Sequence, residues 1–385
     1  MKLLLIDNIV FHQNKGKFYS PSIYNSEFFS RYTKVFSEVE ILTKTKKSLS
    51  NTINSNEIKL PTLRISPISY FKGFKGLFLS MPLLVFKLIR SINNCDALCL
   101  RIGQVESYIA YIINLAFNKP YFVEVVNDPE TIFKSKSFIN SINLSIFKQI
   151  LLNSTAASFV TDHYLQNKYL PKNHKIKFLS SYSSINLTSD YFNGSARQSF
   201  NKNDIRIIHV SNTIQGNFKG HFTVVDIVEK LLINGINVTV SFLGDGSSVD
   251  DLKHYIKSKN ISNKFSFLGL IKSEAKKISL LKSNNLFLYP SQMDGLPRSL
   301  IEAMAVGLPC LASNIAGIPE LIEVKYLKDP NDVDGFYHLI CYLIDNQSEI
   351  ELMSKTNVKI ASKFKSSHLN RLRKNFYESF KNFHN

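Results

Sequence analysis

The 385-residue sequence predicts an α/β protein built from two doubly wound, parallel-sheet domains. Three observations carry that reading. Apolar runs of strand length alternate with amphipathic helical patterns almost from end to end, the order a parallel sheet requires. The chain is long enough for two α/β domains of ordinary size. A polar, aperiodic stretch, residues 187–203, divides it near the middle and reads as a linker. The expected domains are 1–186 and 204–362, followed by a basic, Phe-rich helical tail over 363–385.

In the first half, 2–6 reads as a strand, 22–36 as an amphipathic helix and 39–43 as the next strand. Helices at 77–92, 106–117, 141–152 and 164–169 then alternate with strands at 97–101, 121–126, 157–160 and 176–180. The first strand is followed by Asn14-Lys15-Gly16-Lys17 rather than a glycine triplet, which argues against a nicotinamide cofactor. Three polar residues stand at or just past strand ends here. Asp128 belongs to an Asn-Asp-Pro sequence, a common turn former. Arg101 could meet a phosphate or simply lie on the surface. His163 reads as a cap of the next helix.

The second half repeats the alternation. Strand 205–210 runs into Ser211 and Asn212, and Lys219-Gly220 opens a helix through 232. Strand 237–243 is followed by Gly244-Asp245-Gly246, then helix 250–257, strand 265–268 and helix 274–281. The most informative stretch is 285–322, NLFLYPSQMDGLPRSLIEAMAVGLPCLASNIAGIPELI. Its apolar run 286–289 is a buried strand, Pro297 suits a first helical turn, and Gly307 closes the helix. The polar residues therefore gather at the carboxyl end of a strand, where open α/β sheets bind ligands. Unpaired amides around Arg298 and Ser299 suit an anion. Glu302 lies one turn into the helix and Asp294 eight positions earlier, in the loop. Either alone reads as a capping or dipole residue. Together, beside an anion site, they read as acceptors for sugar hydroxyls.

The string PSQMDGLPRSLIEAMAVGLPCLAS…GIPELI resembles the signature segment of glycosyltransferase family 4, the retaining group 1 enzymes. That family usually shows two Glu separated by seven residues; here Asp294 takes the first place and Glu302 the second. The resemblance implies a GT-B fold, two Rossmann-like domains facing a central cleft, with a terminal helix crossing back onto the first. It implies transfer of a sugar from a nucleoside diphosphate sugar to an acceptor hydroxyl with retained configuration, the acceptor being a lipid-linked saccharide of capsule, O-antigen or another surface polysaccharide. Under it, Glu302 holds the nucleotide ribose, Asp294 the donor sugar, and Lys219 the departing diphosphate. The backbone from Gly295 through Leu296, Pro297, Arg298 and Ser299 assists. Gly220 and Gly244 let backbone approach the nucleotide, Ile271 meets the base, and Asp128 faces the acceptor. Asn212 stands where the family usually has Arg. No metal or organic cofactor is implied, since lysine and helix amides do a cation's work.

The chain carries a net charge of +17, and residues 1–190 hold 23 Lys/Arg against 12 Asp/Glu. Such an excess points to an anionic partner. A nucleic-acid reader module is not recognisable, so specific nucleic-acid binding is not expected. Aromatic and basic residues interleave from Ile68 to Met81, with Lys87 and Arg90 beyond, a pattern that suits the surface of an acidic membrane. The longest apolar run, 77–89, is interrupted by Ser80, Pro82 and Lys87 and reads as too short to span a bilayer. The start, MKLLLIDNIVF, reads as a strand rather than a signal peptide. Cys95, Cys99, Cys310 and Cys341 show no zinc-ligand spacing and read as reduced core residues. The expected location is cytoplasmic, at the inner face of the plasma membrane. The competing class is a GT-B epimerase, for which Asp128, Arg101 and His163 would have to supply acid–base groups.

Overall fold

The computed structural model describes residues 1–20, 24–47, 56–71, 73–103, 105–132, 138–194 and 201–385. Ser22, the expected start of the first helix, and residues 195–200 of the expected linker lie outside these. The chain divides into two compact units: residues 1–160, 166–182 and 370–385, and residues 161–165 and 183–369.

The first unit runs β1 Lys2–Asn14, β2 Lys17–Ser20, α1 Ser26–Thr33, β3 Glu38–Lys47, β4 Asn56–Glu57, β5 Leu63–Ser69, α2 Gly73–Asn93, β6 Ala97–Ile102, α3 Val105–Phe117, β7 Tyr121–Val125, α4 Pro129–Ile132, α5 Phe138–Leu152, β8 Ala156–Phe159, α6 Tyr164–Tyr169 and β9 Phe178–Ser181. β5, β3, β1, β6, β7, β8 and β9 lie side by side and parallel. β6 and β7 are buried along their whole lengths, which explains their near-continuous apolar runs. The sheet also departs from the expected pattern. β1 continues well beyond Ile6 and turns back through Lys15 and Gly16, both at positive φ, into antiparallel β2. A two-residue turn of that kind matches the twist of a hairpin.

The buried centre of this unit is polar. Asp7 on β1, Arg101 on β6 and Glu124 on β7 stand on three neighbouring strands, with Arg101 and Glu124 directly paired in register. Arg101 hydrogen-bonds Asp7 and sits 3.1 Å from Glu124. Glu124 also accepts the hydroxyls of Tyr32 (2.9 Å), Tyr182 (3.2 Å) and Tyr377 (2.6 Å). Tyr377 comes from the last helix, whose Phe376 and Phe380 stack edge-on against Phe122.

The second unit contains a short helical turn at Ser189–Phe192, then β10 Ile205–Thr213, α7 His221–Ile233, β11 Val238–Asp245, α8 Val249–Ser258, β12 Phe265–Phe267, α9 Glu274–Ser283, β13 Leu286–Tyr289, α10 Arg298–Ala305, β14 Cys310–Ser313, β15 Leu327–Lys328, α11 Val333–Asp345, α12 Gln347–Ala361 and α13 Ser366–Phe383, which ends in the first unit. Its sheet is wholly parallel in the order β12-β11-β10-β13-β14-β15. α10 ends as the sequence predicts: Gly307 takes positive φ, its amide reaches Met304 O, and the Leu308 amide reaches Ala303 O. α12 secures that turn through Ser354 Oγ to Gly307 O (2.5 Å) and Asn357 Nδ2 to Leu308 O (2.9 Å). Residues 187–194, read from the sequence as linker, are packed into this unit, because Leu187 and Tyr191 bury their apolar side chains.

Candidate active site

The second unit brings together two loops at the carboxyl ends of adjacent strands, β10 and β13. The amide of Gln292 donates to Phe218 O (2.9 Å), lacing one loop to the other. Gly220, at φ 78°, lies so close to Pro290 that a Cβ would stand 2.1 Å from its carbonyl oxygen. Glycine is required there on both counts. The contact delivers Lys219, one residue earlier, to the loop that carries Asp294.

Lys219 Nζ donates to Asp294 Oδ2 (2.8 Å) and to Met293 O (2.7 Å). The same carboxylate oxygen accepts Tyr289 OH (2.7 Å) and Ser291 Oγ (3.0 Å). Burial, and then the Asp294 carboxylate, push the Tyr289 hydroxyl well above its ordinary pKa, so it stays a proton donor. Just beyond, α10 starts at Arg298, and Pro297 at its N-cap gives no side-chain hydrogen bond to the first amides. An ammonium, the open amides and the positive end of a helix therefore share one end of the sheet, an arrangement suited to a diphosphate. Glu302, in the second turn of α10, is ion-paired with Lys277 of α9 at 2.6 Å. Tyr289, Ser291 and Lys277 are not singled out by the sequence. Tyr289 shows only as the last apolar residue of its strand, and Lys277 as one lysine among many.

Two histidines lie beneath this cluster. His209, wholly buried in the middle of β10, bonds Leu288 O through Nδ1 at 2.8 Å. His221, the first residue of α7, sets its ring edge-on against His209 with centroids 4.4 Å apart. Neither nitrogen of His221 has a partner among the described residues. Burial lowers the pKa of His209 to about 4, and burial with the neighbouring His209 and Lys219 lowers that of His221 to about 2. Both are neutral near pH 7.

The other expected residues fall in three groups. Asn212 is exposed at the end of β10, Gly244 donates its amide to Gly269 O (3.0 Å) at the end of β11, and Ile271 lies in the loop before α9. A Cβ at Gly244 would stand 1.8 Å from Ser211 O, so this glycine serves backbone packing. In the first unit, Asp128 is not open to an acceptor. Its side chain is fully buried, Oδ1 accepts Tyr169 OH (2.5 Å) and the Glu130 amide (3.1 Å), and Oδ2 pairs with Lys168 (2.8 Å). That is the helix-start turn its Asp-Pro sequence permits. Arg101 meets no phosphate either, being sealed between Asp7 and Glu124. His163 is exposed and its amide, with those of Asp162 and Tyr164, points at the Glu320 carboxylate. With Arg101 and Asp128 enclosed, the epimerase reading loses two of its three acid–base groups. Among the described residues no cluster of His, Cys, Asp or Glu gathers as metal ligands would.

Comparison with known proteins agrees with this geometry. The chain is 28% identical to Protein CapJ of Staphylococcus aureus, over 88% of this chain and 85% of that one. It is 32% identical to UDP-Gal:alpha-D-GlcNAc-diphosphoundecaprenol alpha-1,3-galactosyltransferase of Escherichia coli, over 29% of each chain. Its fold matches the sucrose-phosphate synthase of Thermosynechococcus elongatus with a TM-score of 0.74 at 15% identity, covering 99% of both chains, so the architecture is GT-B. The family Glycosyl transferases group 1 matches residues 193–360, the stretch that holds both laced loops, Lys219, Asp294 and Glu302. The likeness to the group 1 glycosyl transferases is carried by that segment, a little under half of the chain.

Proposed function

We propose that this glycosyltransferase moves a sugar from a uridine diphosphate sugar to a hydroxyl of a lipid-linked saccharide, with retained anomeric configuration, in the synthesis of a capsule or similar surface polysaccharide. The name of the Escherichia coli relative, a UDP-galactose enzyme with a diphosphoundecaprenol-linked acceptor, supports donor and acceptor class and, through them, the pathway. The observation that carries the reading is the Lys219–Asp294 pair set beside the uncapped start of α10.

In this scheme the diphosphate lies across the amides of Arg298 and Ser299, and Lys219 turns from Asp294 toward it as the glycosidic bond lengthens. Charge stabilisation of the leaving group and alignment of the acceptor then supply most of the rate. Glu302, held by Lys277, accepts the ribose hydroxyls. Asp294 accepts a hydroxyl of the donor sugar through Oδ1. Since Asp128 is enclosed, the group at hand to take the acceptor's proton is the departing phosphate oxygen. Lysine and helix amides fill the place a divalent cation would take, so the reaction proceeds without metal.

Thermal melting against a panel of nucleoside diphosphates tests the donor site, because a ligand bound only to the folded state raises the melting temperature. UDP is expected to stabilise the wild type and not Lys219→Ala, whose turnover falls by about 10²–10³ if it loses a principal charge on the leaving group. An unaltered rate in Lys219→Ala, or no shift with any nucleotide, would sink the assignment.

A further inference from the structure

We propose that the outer face of α2 and α3 is a docking surface for an anionic lipid bilayer, with α2 lying in the plane of the interface. A helix on a soluble domain ordinarily turns its polar side to water. α2 does the reverse. Phe78 (74% exposed), Leu79 (81%), Leu83, Phe86 (62%) and Ile89 recur at helical spacing on its open face, while Leu84, Leu88 and Ile92 are buried on the other. α3 packs beside α2 and adds Val105, Ile112 and Leu115 (65%) to the exposed apolar surface. A contiguous patch of this kind marks a binding surface.

Charge selects the occupant. α2 contains no Asp or Glu, and its exposed cations, Lys75 and Arg90, stand near its two ends. The acid of α3, Glu106, is buried and paired with Lys44 at 2.6 Å. An apolar stripe bracketed by cations fits acyl chains below a layer of anionic headgroups. A second copy of the chain fits poorly. Parallel pairing would set Lys75 against Lys75, and antiparallel pairing would set it against Arg90.

The segment Lys75–Asn93 is long and apolar enough to cross a membrane, contrary to the length expected from the sequence. It is not free to do so. Leu84, Leu88 and Ile92 belong to the core of the first unit, Ser91 Oγ donates to Glu40 at 2.6 Å, and Lys87 bonds Pro67 O. One face is committed to the protein, so only the other can enter lipid. This inference stands on exposure and charge and not on the acceptor reading, although it would place the first unit against the leaflet in which a lipid-linked acceptor resides.

The chain contains no Trp, so Phe86→Trp in the full-length protein puts a single indole on the proposed face. On adding vesicles of phosphatidylcholine and phosphatidylglycerol, its emission is expected to shift to the blue and to be quenched by brominated acyl chains, with a weaker response to phosphatidylcholine alone. Phe78→Ser with Leu79→Ser is expected to lower partitioning of the otherwise unmodified chain, measured by flotation, about tenfold or more while leaving the melting temperature in place. Lys75→Glu with Arg90→Glu should remove the preference for anionic vesicles. The proposal is overturned by failure of the folded wild-type chain to float with anionic vesicles at low salt. It is equally overturned by an indole shift that grows with protein concentration in the absence of lipid, which would mean self-association. Resistance of the membrane-bound chain to alkaline carbonate would mean a spanning helix and overturns it too. UDP binding is measured without vesicles, so none of these outcomes bears on the donor site.

Discussion

Lys277 Nζ lies 2.6 Å from Glu302 Oε1, joining α9 to the helix that follows the signature loop. The lysine holds one carboxylate oxygen, and under the proposed donor site this makes it a positioning residue for the ribose contact. Lys277→Ala is therefore expected to weaken UDP binding about fivefold, the equivalent of roughly 1 kcal/mol, with kcat little changed. Lys277→Arg should restore most of the loss. Calorimetric titration with UDP and a KM-against-kcat comparison check this; a fall in kcat at unchanged KM would argue against it.

In the proposed donor site Asp294 competes with the diphosphate for Lys219. Its Oδ2 already binds Lys219, Tyr289 and Ser291. Asp294→Asn removes a negative charge from the phosphate site and releases Lys219, so UDP should bind a few-fold more tightly, within the range of about 0.5–1.5 kcal/mol of a single hydrogen bond. Turnover should nevertheless fall, because the proposed donor-sugar hydroxyl then meets a neutral amide oxygen in place of a charged carboxylate, a weaker acceptor. Weaker UDP binding in Asp294→Asn would show that the carboxylate organises the site rather than competing within it.

Glu124 makes the opposite kind of prediction, one of stability. It is enclosed with Arg101 and receives three tyrosine hydroxyls. Removing Glu124 leaves Arg101 to Asp7 and takes the carboxylate acceptor from the buried tyrosine hydroxyls, each unsatisfied donor costing about 1–3 kcal/mol. Glu124→Leu should therefore lower the urea midpoint of the first unit strongly. Tyr377→Phe, which deletes one hydrogen bond, should cost about 1 kcal/mol. UDP affinity of the folded fraction should change in neither.

His209 and His221 predict a pH dependence. Both have folded pKa values below 6.5, at about 4 and about 2, so protonation favours the unfolded chain. The stability they contribute is complete above pH 6.5 and is lost as pH falls toward 4 and below. For His209 alone the shift corresponds to on the order of 3 kcal/mol. The melting temperature of the second unit should drop steeply between pH 6.5 and 4, and His221→Phe should flatten that slope. An equal slope in the variant would assign the acid sensitivity to other groups.

The centre of the second sheet was legible because β13 and β14 are buried on both faces and read as short apolar runs, such as LFLY at 286–289. The signature helix was legible because Pro297 and Gly307 mark its ends. β5 was not, since it is only partly buried and the Pro67-Ile68 step breaks its alternation, and the β1–β2 hairpin was hidden in the short turn at Lys15-Gly16. Asp294 and Glu302 stood out because they sit inside a contiguous recognisable string, and Lys219 because it precedes Gly220 at a helix start. Asp128 and Arg101 misled for a common reason. A charged residue at a strand's carboxyl end can face a ligand or an adjacent strand, and only the register with Asp7 and Glu124, or the return of Lys168 and Tyr169, distinguishes the two. Lys277 and Tyr377 reach their carboxylates across long sequence separations, and no local pattern marks them.

The last sixteen residues belong to the first unit, where Phe376, Tyr377 and Phe380 fill its core. This inverts the usual order of biogenesis. Domains generally fold as they leave the ribosome, amino-terminal first. Here the amino-terminal sheet emerges early with Glu124 lacking Tyr377, and it waits for residues 370–385 to be made before its core can close. The second unit, nearly all of it within 183–369, has its residues in hand sooner. A nascent chain stalled near residue 369 should accordingly carry a protease-resistant carboxyl-terminal domain attached to an unfinished amino-terminal one.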